Sequence, residues 1–167
     1  TNTRYYTWGN REDSSVQLTE FLEQYYGSLV IDHQVAKSPI PTGQCRNLGN
    51  PEANSQTSEF TPNCIQSEGC FTCQHHAVLA DPKDIKKLLS YKYVLLATKR
   101  LANTEQEFFR LFGFILQSID RICELILETK KVSASELENI KKDIFEHQKL
   151  EPVWQRKLDL LIDLDVI

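Results

Sequence analysis

Residues 38–72 are too polar to fold on hydrophobic burial alone, and this limits what the rest of the chain can build around them. The stretch carries Pro39, Pro41, Gly43, Gly49, Pro51, Pro62 and Gly69 among many Asn, Ser and Thr residues. Such a composition favours turns over periodic structure. A loop of about 35 residues without regular structure is uncommon inside a compact domain. Cys45, Cys64 and Cys70 lie within it, and Cys73 follows at once. The last three read C-x5-C-x2-C, and eighteen residues separate Cys45 from Cys64. Four thiolates can close a tetrahedral shell around Zn²⁺ or hold an iron–sulfur cluster. A bound metal would give this polar segment a reason to be ordered.

Composition bounds the alternatives. A chain of 167 residues makes one ordinary domain or two small ones, and 41% hydrophobic residues with eight Phe supply a core. A net charge of −4 excludes a bulk polycation that coats nucleic acid. No run approaches the roughly 18 apolar residues of a membrane span, and no signal peptide is visible. The chain opens on Thr1 and has no Met, so the expectation is a C-terminal piece of a longer protein. Five cysteines is an odd count, unlike a secreted disulfide framework. A reduced, cytoplasmic setting fits best. Cys123, within a helical pattern, reads as a buried structural thiol.

Periodicity then places the helices. Asp13 to Tyr26 carries Val16, Leu18, Phe21, Leu22 and Tyr25 on its apolar side, and Gly27 ends it. Asp81-Pro82 starts a helix that runs to about Leu101. Asn103 with Gln106 suggests the next start. There Phe108, Phe112, Ile115, Ile119, Ile122 and Ile126 alternate steps of four and three, a heptad seam over 103–129. Packing within the chain is the first use of that seam, and self-association through it the second. Ser133 and Glu136 form a capping-box pattern ahead of Leu137, Ile140, Ile144 and Phe145. A last helix follows Pro152, with Trp154, Leu158, Leu161 and Ile162 inward.

The reading is mainly α: a helical bundle with an irregular Cys-rich metal-binding segment. Cys45, Cys64, Cys70 and Cys73 are the expected ligands. Zinc is the default for four thiolates and would be structural, since no position stays open. A [4Fe–4S] cluster takes the same donors. His75 or His76 is a candidate to replace one cysteine. Four unrelated thiols, or two disulfides, are the duller alternatives. Lys83, Lys86 and Lys87 begin a basic helix that could neutralise phosphates, although a charged run is more often a solvated face.

The opening residues Thr3-Arg4-Tyr5-Tyr6-Thr7 resemble the end of a tyrosine recombinase (phage integrase) catalytic domain. The segments Pro62-Asn63-Cys64, Glu68–Cys73 and Asp84–Leu89 are similar to C-terminal extensions of some bacterial integrase-like proteins. The resemblance implies that Tyr6 attacks a DNA phosphodiester to form a 3′-phosphotyrosyl link. It also implies that the two Arg and the His or Lys that clamp the phosphate lie upstream of this chain, so the fragment alone is not a complete enzyme. On this reading residues 1–12 end an upstream domain, 13–80 hold a helix and the metal-binding segment, and 81–167 form the helical bundle. The expected function is a metal-stabilised domain contributing DNA contact or assembly to a recombination protein. The alternative is a structural-zinc module for protein interaction without nucleic acid.

Overall fold

The computed structural model describes residues 28–30, 37–54 and 59–167. The helix expected over Asp13–Tyr26 lies outside them. Four α-helices are present among the described residues: α1 (Pro82–Ala97), α2 (Glu105–Glu128), α3 (Ala134–Phe145) and α4 (Pro152–Asp163). No helix among them is long and apolar enough to cross a membrane.

The Cys-bearing stretch is less irregular than its composition suggests. It contributes β2 (Ser38–Ile40) and β3 (Gly43–Cys45) to a small sheet completed by β1 (Ser28–Val30) and β4 (His76–Leu79). The strand order is β1-β4-β3-β2, with β1 parallel to β4 and the other pairs antiparallel. Strands of three or four residues are too short to display an alternating pattern, which is why the sequence reads as loop. Gly43 is required where β3 meets β4. Its φ is +140°, and a Cβ there would sit 2.6 Å from the Ala77 carbonyl oxygen.

Local signals explain the helix ends. Asp81 caps α1, accepting a hydrogen bond from the Asp84 N–H at 2.8 Å, with Pro82 in the first turn. Thr104, rather than Asn103, caps α2 through the Glu107 N–H. Lys130, at φ +60°, stops α2 in the left-handed conformation that Gly usually supplies. Ser133 and Glu136 close a full capping box on α3.

Helix α1 is central and packs against the other three helices and the sheet. The seam of α2 is buried inside this chain: Phe108, Ile115, Ile119, Ile122 and Ile126 join the core, with Phe112 packed at its edge. That occupies the face considered for self-association. Each fully buried side chain of this size is worth about 1.5–3 kcal/mol. In α4, Trp154 and Leu158 are buried, but Ile162 is 50% exposed rather than inward. The main helical neighbour of α4 is α1, so only a narrow stripe is covered.

The core does not stop at residue 80. Phe71, Val78 and Ala80 belong to the same cluster as the helical residues. A buried polar joint reinforces the contact. The Asp84 carboxylate accepts from the Leu79 N–H at 2.7 Å and from the Gln44 carboxamide at 3.1 Å. Lys87 lies 3.3 Å from Asp84 and donates to the Gly43 carbonyl at 2.9 Å. The Trp154 indole also donates to the Pro41 carbonyl at 2.8 Å, tying α4 to the β2–β3 turn.

Candidate functional site

Three pieces of backbone bring the cysteines together. Cys45 ends β3 and is buried. Cys64 is exposed and sits at φ +59°, a conformation that costs an L-residue about 1–2 kcal/mol. The Asn63 side chain holds this turn by accepting from the Ile65 and Gln66 N–H groups, both at 2.8 Å. A 3-10 helix over Ser67–Thr72 carries Cys70, and Cys73 caps its end. Between them Phe71 drives into the core, its ring 5.7 Å from Tyr91 and 5.0 Å from His76. The cysteine loop is therefore pinned by one aromatic anchor.

All four sulfur-bearing residues border one void of about 20 Å³, together with His76, Asn63 and Gly69. Their mutual influence is felt at Cys70. Its thiol is raised to about 11, chiefly by burial; the Thr42 hydroxyl opposes the rise, and Cys73, Cys45 and Cys64 each add to it. Clustered thiols resist ionising together unless a cation compensates. The Thr42 hydroxyl is buried and closes no hydrogen bond of ordinary geometry. Among the described residues no three or more His, Cys, Asp or Glu side chains form a group that could hold a metal ion as they stand. The cysteines share a void without closing a ligand shell on it.

The two histidines part company. His75 does not border the void, and its Nε2 lies 3.2 Å from the Glu52 carboxylate. His76 is buried with Nε2 3.1 Å from the Thr42 carbonyl, while Nδ1 has no hydrogen-bond partner. Burial holds its imidazole below the usual histidine range. The Thr42 carbonyl and Asp84 pull it upward, and Arg46 pulls it down.

No protein-family model, curated protein or solved structure matches this chain.

The basic helix start is smaller than its sequence implies. Lys83 is exposed and Lys86 half-buried. Lys87 is only 5% exposed and bound to Asp84 and Gly43, so it is removed from the expected nucleic-acid-binding set. Further along, Lys92 pairs with Asp120 at 2.6 Å and Lys99 pairs with Glu105. Lys83, Lys86 and Arg100 have no ion pair among the described residues. Tyr6 lies outside the described residues.

A second concavity was not foreseen from the sequence. A groove of about 640 Å³ runs between the 65–68 loop, α1 and α4. Its walls include Ile65, Phe112, Trp154 and Leu160, with Arg156 and Lys157 at one side. Ile65 is 90% exposed. Tyr91 also lines the groove, and its hydroxyl is buried and unpartnered. Burial and the neighbouring Glu68 carboxylate push that phenol well above its ordinary value. Residues of the Cys-x5-Cys spacer build this wall, a role that ligand spacing alone does not announce.

Proposed function

We propose that this chain is the metal-stabilised C-terminal domain of an integrase-like DNA recombination protein, with Cys45, Cys64, Cys70 and Cys73 gathered around one structural zinc. The observation that carries the metal reading is the shared void bordered by all four cysteines. A void of about 20 Å³ suits one small occupant. A [4Fe–4S] cluster takes the same four thiolates and is the alternative occupant. Zinc supplies no reactive position here when bound by four thiolates; it orders the polar segment. The chain's own residues do the rest. Phe71 anchors the loop, and Asn63 shapes the turn that presents Cys64.

Metal analysis of protein purified without chelator is expected to give about one zinc per chain. A brown protein with visible charge-transfer absorption would replace zinc by an iron–sulfur centre. Neither metal, with four freely titrating thiols, would remove the site altogether.

DNA contact falls to Lys83 and Lys86, which sit where α1 leaves the Cys-bearing layer. Removing one lysine that neutralises a phosphate should lower the salt slope of DNA binding by about 1. Lys83→Glu with Lys86→Glu is expected to weaken binding by a salt-dependent factor, and unchanged binding would argue against this face. Tyr6 carries the nucleophile's role only within the whole recombinase. A covalent DNA adduct that persists in Tyr6→Phe would discard it.

The second reading is a zinc-stabilised protein-interaction module with no nucleic acid. The apolar groove and the pairing of Lys92 and Lys99 favour it. A gel shift across a salt series separates the two readings.

A further inference from the structure

We propose that His76, through Nδ1, is the fourth ligand of the metal centre, together with Cys45, Cys70 and Cys73, and that the exposed Cys64 is dispensable. This rests on the metal reading above and changes its donor set. Cys45 and His76 are directly opposed in the antiparallel β3–β4 ladder. Opposed residues project from the same face of a sheet, with Cβ atoms about 4.5–5.5 Å apart. Cys70 and Cys73 precede His76 at steps of three, giving Cys-x2-Cys-x2-His over residues 70–76. In a 3-10 turn, positions three apart lie one above the other. Cys70 sits in such a helix, Cys73 caps it, and both border the same void.

The imidazole is held in the tautomer that a ligand needs. The Thr42 carbonyl can only accept, so the Nε2 beside it carries the ring proton. The lone pair is thereby left on Nδ1, which is buried with no partner. Metal-bound histidines usually donate their other ring N–H to a carbonyl or carboxylate in this way. A buried acceptor without a donor is costly, and a cation in the void removes that cost. His76 and the other three donors all border that void. Cys64 is the outlier, exposed on its turn and followed by the almost fully exposed Ile65. Charge favours the same choice. Zinc with four thiolates carries −2, whereas three thiolates and a neutral imidazole leave −1, which is less costly to bury.

The test uses the full chain, stripped of metal and titrated with Co²⁺, alongside Cys64→Ser and His76→Gln. Gln keeps a donor for the Thr42 carbonyl and removes Nδ1. Cys64→Ser should bind one Co²⁺ per chain with unchanged thiolate-to-cobalt absorption per ion. His76→Gln should lose at least about tenfold in Co²⁺ affinity and shift the visible d–d bands. X-ray absorption on the zinc-loaded wild type needs no variant. It should show three sulfurs at about 2.3 Å and one nitrogen at about 2.0–2.1 Å. Four sulfurs, or loss of thiolate absorption in Cys64→Ser with His76→Gln unaffected, would overturn the assignment and leave the four-cysteine site standing. A wild type that binds neither Co²⁺ nor Zn²⁺ would overturn both.

Discussion

The helical layer and the Cys-bearing layer reach order by different means. From Pro82 to Asp163 the chain follows its own hydrophobic period: α2 buries Phe108, Ile115, Ile119, Ile122 and Ile126 along one seam. From residue 37 to 80 the large apolar anchors are few, with Phe71 and Val78 the main ones, and several buried groups are polar: Thr42, Gln44, Thr72 and His76. The first layer buries polar groups too, Asp84, Lys87, Ser90 and Ser118, but sets them in a large apolar core. The second depends on a handful of particular ones, because polar burial stabilises only when every group finds a partner. One sequence can thus contain a robust half and a conditional half around a continuous core.

The comparison can be broken at the joint, and that should give the largest effect. Asp84→Ala leaves Lys87 buried without its carboxylate and the Leu79 N–H without an acceptor. A cost of about 3–5 kcal/mol in unfolding free energy is expected from denaturant titration. A cost below about 1 kcal/mol would mean that the layers are not joined there.

Truncations of comparable size in each layer sharpen the contrast. Phe71→Ala should cost about 3–5 kcal/mol, and Ile119→Ala about 2–5 kcal/mol. Hydrogen exchange separates them. Phe71→Ala should deprotect β3 and β4 while sparing the centre of α2, whereas Ile119→Ala should lower protection throughout the helices. Uniform loss in both variants would merge the two layers into one cooperative unit.

A smaller effect is expected from acid on the metal-free protein. His76 is held below its ordinary value chiefly by burial, with Arg46 also pushing it down, and Asp84 and the Thr42 carbonyl pulling it up. The unfolded chain therefore takes the proton first as pH falls. The stability linked to this group is complete above about pH 6.5 and is lost below it, by at most about 1.4 kcal/mol per pH unit. The difference in unfolding free energy between wild type and His76→Gln should shrink between pH 7.5 and 5.5. A difference that stays constant would show that His76 is not buried as a neutral ring.

The smallest effect belongs to the periphery of the helical layer. Ser133→Ala removes the hydroxyl that accepts from the Glu136 N–H at 3.1 Å. About 1 kcal/mol of stability should go, with β3 and β4 unaffected.

The sequence disclosed these layers unequally, for physical reasons. Helix α2 announces itself because six residues repeat at the helical period over about five turns. Asp81-Pro82 and Ser133-Glu136 are equally plain, since capping depends on neighbours in the chain. Strand β2 is hidden: Ser38-Pro39-Ile40 has no alternation to read, and its partner is chosen by tertiary pairing. Lys87 misled because a lysine in a basic run looks solvated. Only the fold reveals that its stem crosses the core edge to the Gly43 carbonyl. The four cysteines were evident as a set, but their unequal exposure was not. The opposition of Cys45 and His76 needed the β3–β4 register. The groove was invisible because it is assembled from residues as far apart in the chain as Pro41 and Leu161.

Residues 63–70 form a partition between two compartments. Asn63, Cys64, Gly69 and Cys70 border the void on one side, while Ile65, Gln66, Ser67 and Glu68 wall the groove on the other. An ion gripped on the first side would stiffen the strip of backbone that a guest on the second side would have to fit. Thermodynamic linkage then runs both ways: whatever factor the ion lends to the guest's affinity, the guest returns to the ion.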